Sequence, residues 1–550
     1  MRWKLKKPVF PIEKYTFSPI VSLLLSVRGV EPEKAGMYLY PGLGSLYSPF
    51  KFKDMEKAID RLILALRRNE RILIHGDFDV DGVTSLALMY RVLKRLGFEV
   101  FAYVPNRFDE GYGVSRQGIE KAAKAGATLI ITVDCGITAY EEIEYANSLK
   151  IDVIITDHHE PKESLPSSYA IINPKLGDYP YDNLAGVGVA FKLLEGLYEK
   201  LKRDKTELYW DLDLVALGTI SDLVPLIDEN RIFAKAGISI LNKTKKAGLK
   251  ALKNVAGISG AIDTYHVSFI LAPRLNAAGR MEDAMKAFKL LVTTQGVTAR
   301  QHAVELNNLN LKRQRIEKDM VEEAINMAKA KGDRLIYVLY DPGWHEGVVG
   351  IVASRVVDRF YRPAILLTRK DDVLKGSARS IAGFNIFEAI SSQGEYLETF
   401  GGHKYAAGLS LKPENLEKFE EGINAYAKSV LSEDDLEKEI EIDLDISDVY
   451  NREELIQSFD LFQPFGMGNS KPKFLFRRAK LIGAVNRLKE NFYKFRIDIN
   501  GDIQTAVYAG NSDVISNITS SRKSDVVFTL REDRFLSKKI IEIIDAKPSD

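Results

Sequence analysis

Residues 71–86 read RILIHGDFDVDGVTSL, and the order of residue types in this stretch decides the fold. Residues 71–74 are a short apolar run that reads as the end of a buried parallel strand, and residues 83–96 carry the spacing of a helix. Asp77, Asp79 and Asp81 fall between them, in the turn outside the carboxyl end of a strand, where open α/β sheets place their ligands. Three carboxylates this close repel one another and cannot all stay ionised without compensating charge. A divalent metal ion is the simplest compensation; a solvated, Asx-rich turn is the plain alternative.

Two later apolar runs end in the same chemistry. Residues 128–133 (TLIITV) lead into Asp134-Cys135-Gly136, and residues 153–156 (VIIT) lead into Asp157-His158-His159. A further carboxylate, Asp222, follows the apolar helical run 212–220. Oxygen donors with one or two imidazoles suit manganese, magnesium or zinc. One carboxylate bridging two ions is the arrangement of in-line phosphoryl displacement, which points to phosphate ester hydrolysis.

At 550 residues the chain has room for three or four domains, and its hydrophobic (45%) and charged (28%) fractions are those of a globular protein. Cys135 is the only cysteine, so no intrachain disulfide can form and a reducing cytoplasm is the expected setting. A small buried residue is the preferred reading of Cys135 over a metal thiolate. No apolar run approaches the ~18 residues of a membrane span. The net charge of +1 does not advertise a nucleic-acid partner, but residues 471–550 hold 16 Lys and Arg against 10 Asp and Glu. Residues 431–449 hold nine acidic residues and one lysine, which reads as a solvated segment leading into the next domain.

Taken in order, residues 1–49 read as an N-terminal extension packed on the first domain. Residues 54–68 form a helix with Asp54 at its N-cap, and strands then alternate with helices, predicting a parallel sheet covered on both faces. Arg107, in PNRFDEGY, lies on the same sheet edge as the aspartates, as a phosphate clamp or as a surface partner of Asp109 or Glu110. Residues 297–330 predict one charged helix of ~34 residues and ~50 Å, connecting two domains. A second α/β unit follows. In it, Ser377 and Arg379 face one side of an extended segment, and Gly401-Gly402-His403-Lys404 is either a plain turn or a backbone that approaches phosphates. Short strands with interleaved aromatic and basic residues over 474–545 suggest an OB-fold that stacks single strands, with Tyr493, Phe495, Arg496, Tyr508 and Arg531 as contact candidates.

HGDFDVDG, VDCG, TDHH and SDLVPL resemble, in order and spacing, the core motifs of the DHH phosphoesterase superfamily. PRLNAAGRM (273–281), GWHEGVVGIVASR (343–355), GSARS (376–380), GGHKYAAG (401–408) and FQPFGMGNSKPKF (462–474) extend the likeness to the RecJ-type exonucleases over nearly the whole chain. The resemblance implies a DHH parallel-sheet domain at 50–295, a connecting helix at 296–330, a DHHA1 domain at 331–430, and an acidic linker with an OB-like β-barrel at 431–550.

It further implies a monomeric enzyme that degrades single-stranded DNA 5′→3′ to mononucleotides in repair and recombination, working with a RecQ-type helicase and single-strand binding protein. Asp79, Asp81, Asp134, His158 and Asp222 would hold two Mn²⁺ or Mg²⁺ ions, with Asp134 bridging and Asp77 beside them as a catalytic carboxylate. His159 would contact the phosphate or leaving group, and His75 and Asp157 would orient ligands from the edge of the site. Arg107, Arg280, Ser377 and Arg379 would form a 5′-phosphate pocket between the two α/β domains, and Gly401, Gly402, His403 and Lys404 would meet nucleotide phosphates. Two alternatives stay open: a phosphatase of short oligoribonucleotides or 3′-phosphoadenosine phosphate, and a non-catalytic replication scaffold on the same fold.

Overall fold

The computed structural model describes residues 1–533 and 538–549. Five strands, β1 (Arg71–Gly76), β2 (Glu99–Tyr103), β3 (Ala127–Val133), β4 (Asp152–Thr156) and β5 (Ala170–Ile172), form one sheet in the order β2-β1-β3-β4-β5. Every pairing in it is parallel. The chain leaves β1 for β2 on one side and returns to β3 on the other, so the order reverses at β1, and a crevice opens there beyond the carboxyl ends. β1 and β3 are apolar on both faces because helices cover both.

Helix α1 (Val80–Arg95) begins three residues earlier than its apolar spacing predicts. The reason is local: the Asp79 carboxylate caps the helix by accepting the Gly82 N–H at 3.0 Å. Asp81 therefore sits in the first helical turn. Helix α2 (Gly186–Lys200) packs on β3 and β4, α3 (Leu212–Ser221) packs on α1 and α2, and α4 (Asp228–Lys243) packs on α3. Asp54 takes the N-cap position of the helix Met55–Arg68, but its side chain makes no cap bond and accepts the Ile171 amide of β5 instead.

By its contacts the chain divides into two units, one made of Met1–Arg2, Pro273–Leu290 and Val297–Glu439, the other of the remainder. The smaller unit contains the 35-residue helix α5 (Gly296–Ala330) and a sheet of β6 (Tyr337–Tyr340), β7 (Ala364–Lys370), β8 (Val373–Arg379), β9 (Leu397–His403) and β10 (Ala406–Leu411), ordered β9-β10-β8-β7-β6. Helix α6 (Val349–Phe360) packs on this sheet. The segment Pro273–Leu290, with Arg280, groups with this unit rather than with the parallel sheet.

The larger unit also contains the C-terminal barrel. After a short strand β11 (Leu444–Asp445), strands β12 (Phe474–Lys489), β13 (Phe492–Ile499), β14 (Asp502–Ala509), β15 (Ser524–Asp533) and β16 (Lys538–Pro548) run β12-β13-β14-β16-β15, and β15 pairs back with β12 to close the barrel. Closure removes the exposed edges that an open sheet would present.

Three sequence expectations are corrected here. The N-terminal segment does not lie on the first domain alone: Tyr15, Ile20, Leu24 and Leu39 share one core with Phe459, Phe462, Phe474 and Phe528. The acidic stretch is not a bare solvated linker, since it forms a strand Glu439–Ile442 and then β11, with Ile440, Ile442, Leu444 and Ile446 buried, Glu441 exposed, and Asp443 buried where its Oδ2 accepts the Lys473 N–H at 2.9 Å. The barrel aromatics Tyr493, Phe495 and Tyr508 point into its core, so they are no stacking platform. Arg496 and Arg531 are exposed.

Candidate metal centre

Each strand of the crevice delivers its side chains by ending. β1 delivers Asp77 and, through the cap of α1, Asp79 and Asp81. β3 delivers Asp134, whose φ of +61° lies in the left-handed region, a conformation costly for a residue with a Cβ and kept where surroundings enforce it. β4 delivers Asp157, His158 and His159, and the end of α3 delivers Asp222. Among the described residues, side-chain atoms within 4.8 Å of one another form three groups able to hold a cation: Asp81 with His158 and Asp222; Asp77 with Asp79 and Asp134; and Asp134 with His158 and His159. Asp134 and His158 each belong to two groups, as a shared site for two ions requires.

Asp81 is aimed by a helix start. Its Oδ2 accepts from the Gly186 N–H at 2.6 Å and its Oδ1 from the Val187 N–H at 3.0 Å, at the positive end of α2. Glycine is required at 186, since a Cβ there would lie 2.5 Å from Asp134 Oδ1.

The electrostatics call for cations. Asp77 Oδ1, Asp134 Oδ1, His158 Nε2 and Asp222 Oδ2 are buried without a hydrogen-bond partner among the described residues. At 4 Å and an effective dielectric of ~20, each like-charge pair costs ~4 kcal/mol. Burial first, then neighbouring carboxylates, pushes Asp81 up to about 7 and holds Asp77, Asp134 and Asp222 well above the carboxylate range. Burial pushes His158 down to about 3, leaving a neutral imidazole. Orphaned carboxylate oxygens and a neutral imidazole nitrogen converging on one space are the donors divalent Mn or Mg binds. The residues fit the two ions.

Asp157 stands apart from these groups. Its Oδ1 accepts from His159 Nδ1 at 2.7 Å and from the His158 and His159 amides, and its Oδ2 from the Ile137 amide at 2.9 Å. It is spent on orienting the two histidines. Burial opposes protonation of His159, yet the hydrogen bond to Asp157 carries it above its ordinary value. Asp77, expected as a catalytic carboxylate, also stands among the possible ligands. His75 stands outside them: fully buried, it is lowered to about 4 by that burial, and its Nε2 accepts the Ser115 amide at 3.3 Å, supporting the loop above it.

The loop after β2 brings Arg107 over the Phe78 ring at 5.2 Å, where its charge works against the raised Asp77. Sequence reasoning missed Tyr112 in the same loop. Its hydroxyl lies 3.0 Å from His159 Nε2, and it is flanked by Gly111 and Gly113, both at positive φ. A tyrosine between two glycines beside Arg107 was the available signal.

In the smaller unit a second set gathers at the start of α6. Arg280 Nη1 donates to the Gly347 carbonyl at 3.2 Å, and Arg379 Nη1 donates to Ser377 Oγ at 2.9 Å. A Cβ on Gly350 would lie 2.9 Å from Ser377 Oγ and 3.0 Å from Arg379 Nη2, so the helix start, the hydroxyl and the guanidinium are neighbours. Gly401 pairs with Gly408, which pairs with Ser377; His403 pairs with Ala406, which pairs with Arg379. His403 thus shares a sheet face with Arg379 and Ser377, across a floor of Ala406 and Gly408 about 10 Å wide. Gly402 has φ +147°, and a Cβ there would meet the Ala406 carbonyl at 2.5 Å. Lys404 is exposed, its Nζ 5.4 Å over the Tyr405 ring.

Three family models match the chain: the DHH family N-terminal domain over residues 71–219, the DHHA1 domain over 317–429, and the RecJ OB domain over 440–544. The single-stranded-DNA-specific exonuclease RecJ of Bacillus subtilis is 43% identical over 495 residues, covering 88% of this chain and 62% of its own length. That of Escherichia coli is 38% identical over 484 residues, covering 83% of each. The chain thus spans less than two thirds of the first relative and most of the second. The crystal structure of RecJ in complex with Mn²⁺ from Thermus thermophilus superposes with a TM-score of 0.85 at 29% identity, covering 100% of this chain and 80% of that one. Its Mg²⁺ complex gives 0.79 at 28% identity, covering 100% and 79%. With a relative 38% identical and aligned over 83% of both lengths, the chain belongs to the RecJ family of single-stranded-DNA-specific exonucleases.

Proposed function

We propose that this chain is a divalent-metal-dependent exonuclease that hydrolyses single-stranded DNA in the 5′→3′ direction to mononucleotides. The observation that carries the reading is the convergence of Asp77 Oδ1, Asp134 Oδ1, Asp222 Oδ2 and His158 Nε2, buried and unpartnered among the described residues, at the switch point of a parallel sheet. Asp81, His158 and Asp222 would hold one ion, Asp77, Asp79 and Asp134 the other, with Asp134 bridging. When bound, Mn²⁺ or Mg²⁺ supplies an activated water and neutralises charge on the phosphoryl oxygens.

The protein's own groups do the rest. Asp157 holds His159 with one ring nitrogen engaged, so the other faces Tyr112 and, in its place, a phosphate oxygen or the leaving group. Arg107 adds positive charge beside Asp77. In the smaller unit, Arg280, Ser377, Arg379 and the start of α6 offer donors for a terminal phosphate, which supports an end-directed reaction. The trough between His403 and Arg379, with Gly401, Gly402 and Lys404 at its edge, suits a passing phosphodiester backbone. The outward Arg496 and Arg531 of the barrel extend the grip electrostatically. The enzyme acts as a monomer in the cytoplasm on strands unwound by a RecQ-type helicase and covered by single-strand binding protein. Among the described residues no helix is long and apolar enough to cross a membrane.

The phosphatase and scaffold readings are less well supported: the match to a RecJ OB domain has no use in the first, and the intact ligand set has none in the second. Product analysis separates them. Incubating the protein with Mn²⁺ and single-stranded DNA, a tetraribonucleotide or 3′-phosphoadenosine phosphate should release deoxynucleoside monophosphates from the DNA much faster than it turns over the others. Preferred hydrolysis of the small substrates would replace the exonuclease reading.

A further inference from the structure

The stretch FQPFGMGN at residues 462–469 takes no part in the metal groups or the barrel wall, yet it is held with unusual completeness. Arg231 of α4, 1% exposed, gives every donor direction to backbone oxygens. Nε donates to Tyr38 at 2.6 Å, Nη1 to Phe462 and Pro464 at 3.2 and 3.3 Å, and Nη2 to Leu461 and Gln463 at 3.4 and 2.8 Å. Asn469 Nδ2 donates to the same Phe462 and Pro464 carbonyls at 2.9 and 2.7 Å, and its Oδ1 accepts from the Tyr38 hydroxyl at 2.8 Å and from Arg28. Buried charge and buried amide are both satisfied, so the loop is rigid.

Its outer side presses on the turn that follows Asp222. The Leu226 N–H donates to the Met467 carbonyl at 2.8 Å. A Cβ on Gly466 would stand 2.6 Å from Leu226 Cδ1, and one on Gly468, itself at φ +68°, 2.9 Å from Pro225 Cβ. From the other side, Tyr181 Oη and Asn230 Nδ2 both donate to the Pro225 carbonyl at 3.1 Å. Asp222 needs such help, because it is the C-cap of α3 and the next residue, Leu223, already has a left-handed φ of +61°. Among the described residues its Oδ2 has no hydrogen bond to fix it, and it stands 3.7 Å from His158 Nε2.

We infer that the 462–469 loop, clamped by Arg231 and Asn469, positions Asp222 and thereby sets the cation affinity of the Asp81–His158–Asp222 group. The inference rests on the metal-dependent reading above. It gives the segment leading into the barrel a part in catalysis: removing the C-terminal domain removes a ligand's support along with any grip on DNA.

The test compares Gly468→Ala and Arg231→Lys with a barrel-core control, Ile518→Val, by isothermal titration with MnCl₂ and by thermal melting in EDTA. Gly468→Ala and Arg231→Lys should weaken Mn²⁺ binding at one of two sites by tenfold or more, while Ile518→Val melts lower but binds Mn²⁺ as the parent does. In an Asp222→Asn background Gly468→Ala should weaken binding no further, since its effect runs through that carboxylate. Unchanged Mn²⁺ affinity in a Gly468→Ala protein that melts lower, or additive losses in the double variant, would overturn the positioning role. A parent protein that binds no Mn²⁺ would instead sink the metal-dependent reading itself.

Discussion

His158 Nε2 lies 3.1 Å from Asp134 Oδ1, and neither atom makes a hydrogen bond among the described residues. Two buried polar atoms left orphaned at contact distance cost more than almost any surface ion pair returns, so the arrangement persists for what it binds. Asp134→Ala should therefore do two opposite things. It should lower turnover by at least ~100-fold, since partners outside the ligand set already cost 10–100-fold when lost. It should also leave the metal-free protein as stable as the parent or more so, because a repelling carboxylate has gone. Steady-state rates in Mn²⁺ and melting in EDTA check both halves; a drop in each would mean that Asp134 is chiefly structural.

The same repulsion fixes a pH dependence. Asp81 sits at about 7 and Asp77, Asp134 and Asp222 are well above their usual range, so the metal-free native state holds protons that the unfolded chain has released. Stability therefore falls as pH rises through these values. His159, raised, acts in the same direction, whereas His158 at about 3 and His75 at about 4 act oppositely, with their effect complete once the unfolded imidazole has titrated near 6.5. In EDTA the melting temperature should fall between pH 6.5 and about 8. In saturating Mn²⁺ it should not. Calorimetry at both conditions decides, and a metal-free protein that gains stability over this window contradicts the picture.

Tyr112 meets His159 through its hydroxyl, and the side chain is more than half exposed. Tyr112→Phe should lower kcat by roughly fivefold, the worth of one hydrogen bond of ~1 kcal/mol, with melting temperature unchanged. Single-turnover rates separate this from an effect on product release.

Arg379→Ala should raise KM for a 5′-phosphorylated strand by ~10–100-fold, the cost of a lost charge-assisted bond of ~1.5–3 kcal/mol. A 5′-hydroxyl strand should be affected far less. Equal losses on both strands would remove terminal-phosphate recognition from this residue.

In the barrel, inward and outward faces should respond differently. Phe495→Ala should cost ~3–5 kcal/mol of stability as a core truncation. Arg496→Ala should leave stability intact and flatten the salt dependence of long-strand binding by about 0.7 in slope, the loss of one phosphate contact. Affinity titrations across NaCl concentrations read the second.

The site was legible because strand ends and metal ligands coincide in the chain: an apolar run followed by aspartate marks both. What the sequence did not separate was Asp77 from Asp157. Both follow strands and both are buried, but the Ile137 amide and the His159 ring occupy Asp157, whereas Oδ1 of Asp77 is unpartnered among the described residues. Those partners come from the neighbouring β3 turn and from a side chain two residues on, which periodicity does not reveal. Helix α1 began early because Asp79 serves as its cap, and a cap and a ligand are one residue type. The N-terminal segment was misplaced because its core partners Phe459 and Phe462 lie more than 400 residues away. The strand within the acidic stretch was readable from its period-two isoleucines; net charge outweighed that pattern. Conversely, Phe495 alternates with Arg496 as any half-buried strand does, and its inward place follows from barrel closure.

End-directed, metal-dependent cleavage of a single strand is the activity proposed for this chain. The direct measurement is a time course on one oligonucleotide labelled at its 5′ or 3′ end, single- or double-stranded, as DNA and as RNA, with Mn²⁺ or EDTA, beside Asp134→Ala. The 5′ label should appear at once as a mononucleotide and the 3′ label should pass through a ladder of shortening fragments, on single-stranded DNA only, with Mn²⁺ only, and not with the variant. Loss of the 3′ label first, equal attack on duplex, or full activity in EDTA would contradict it.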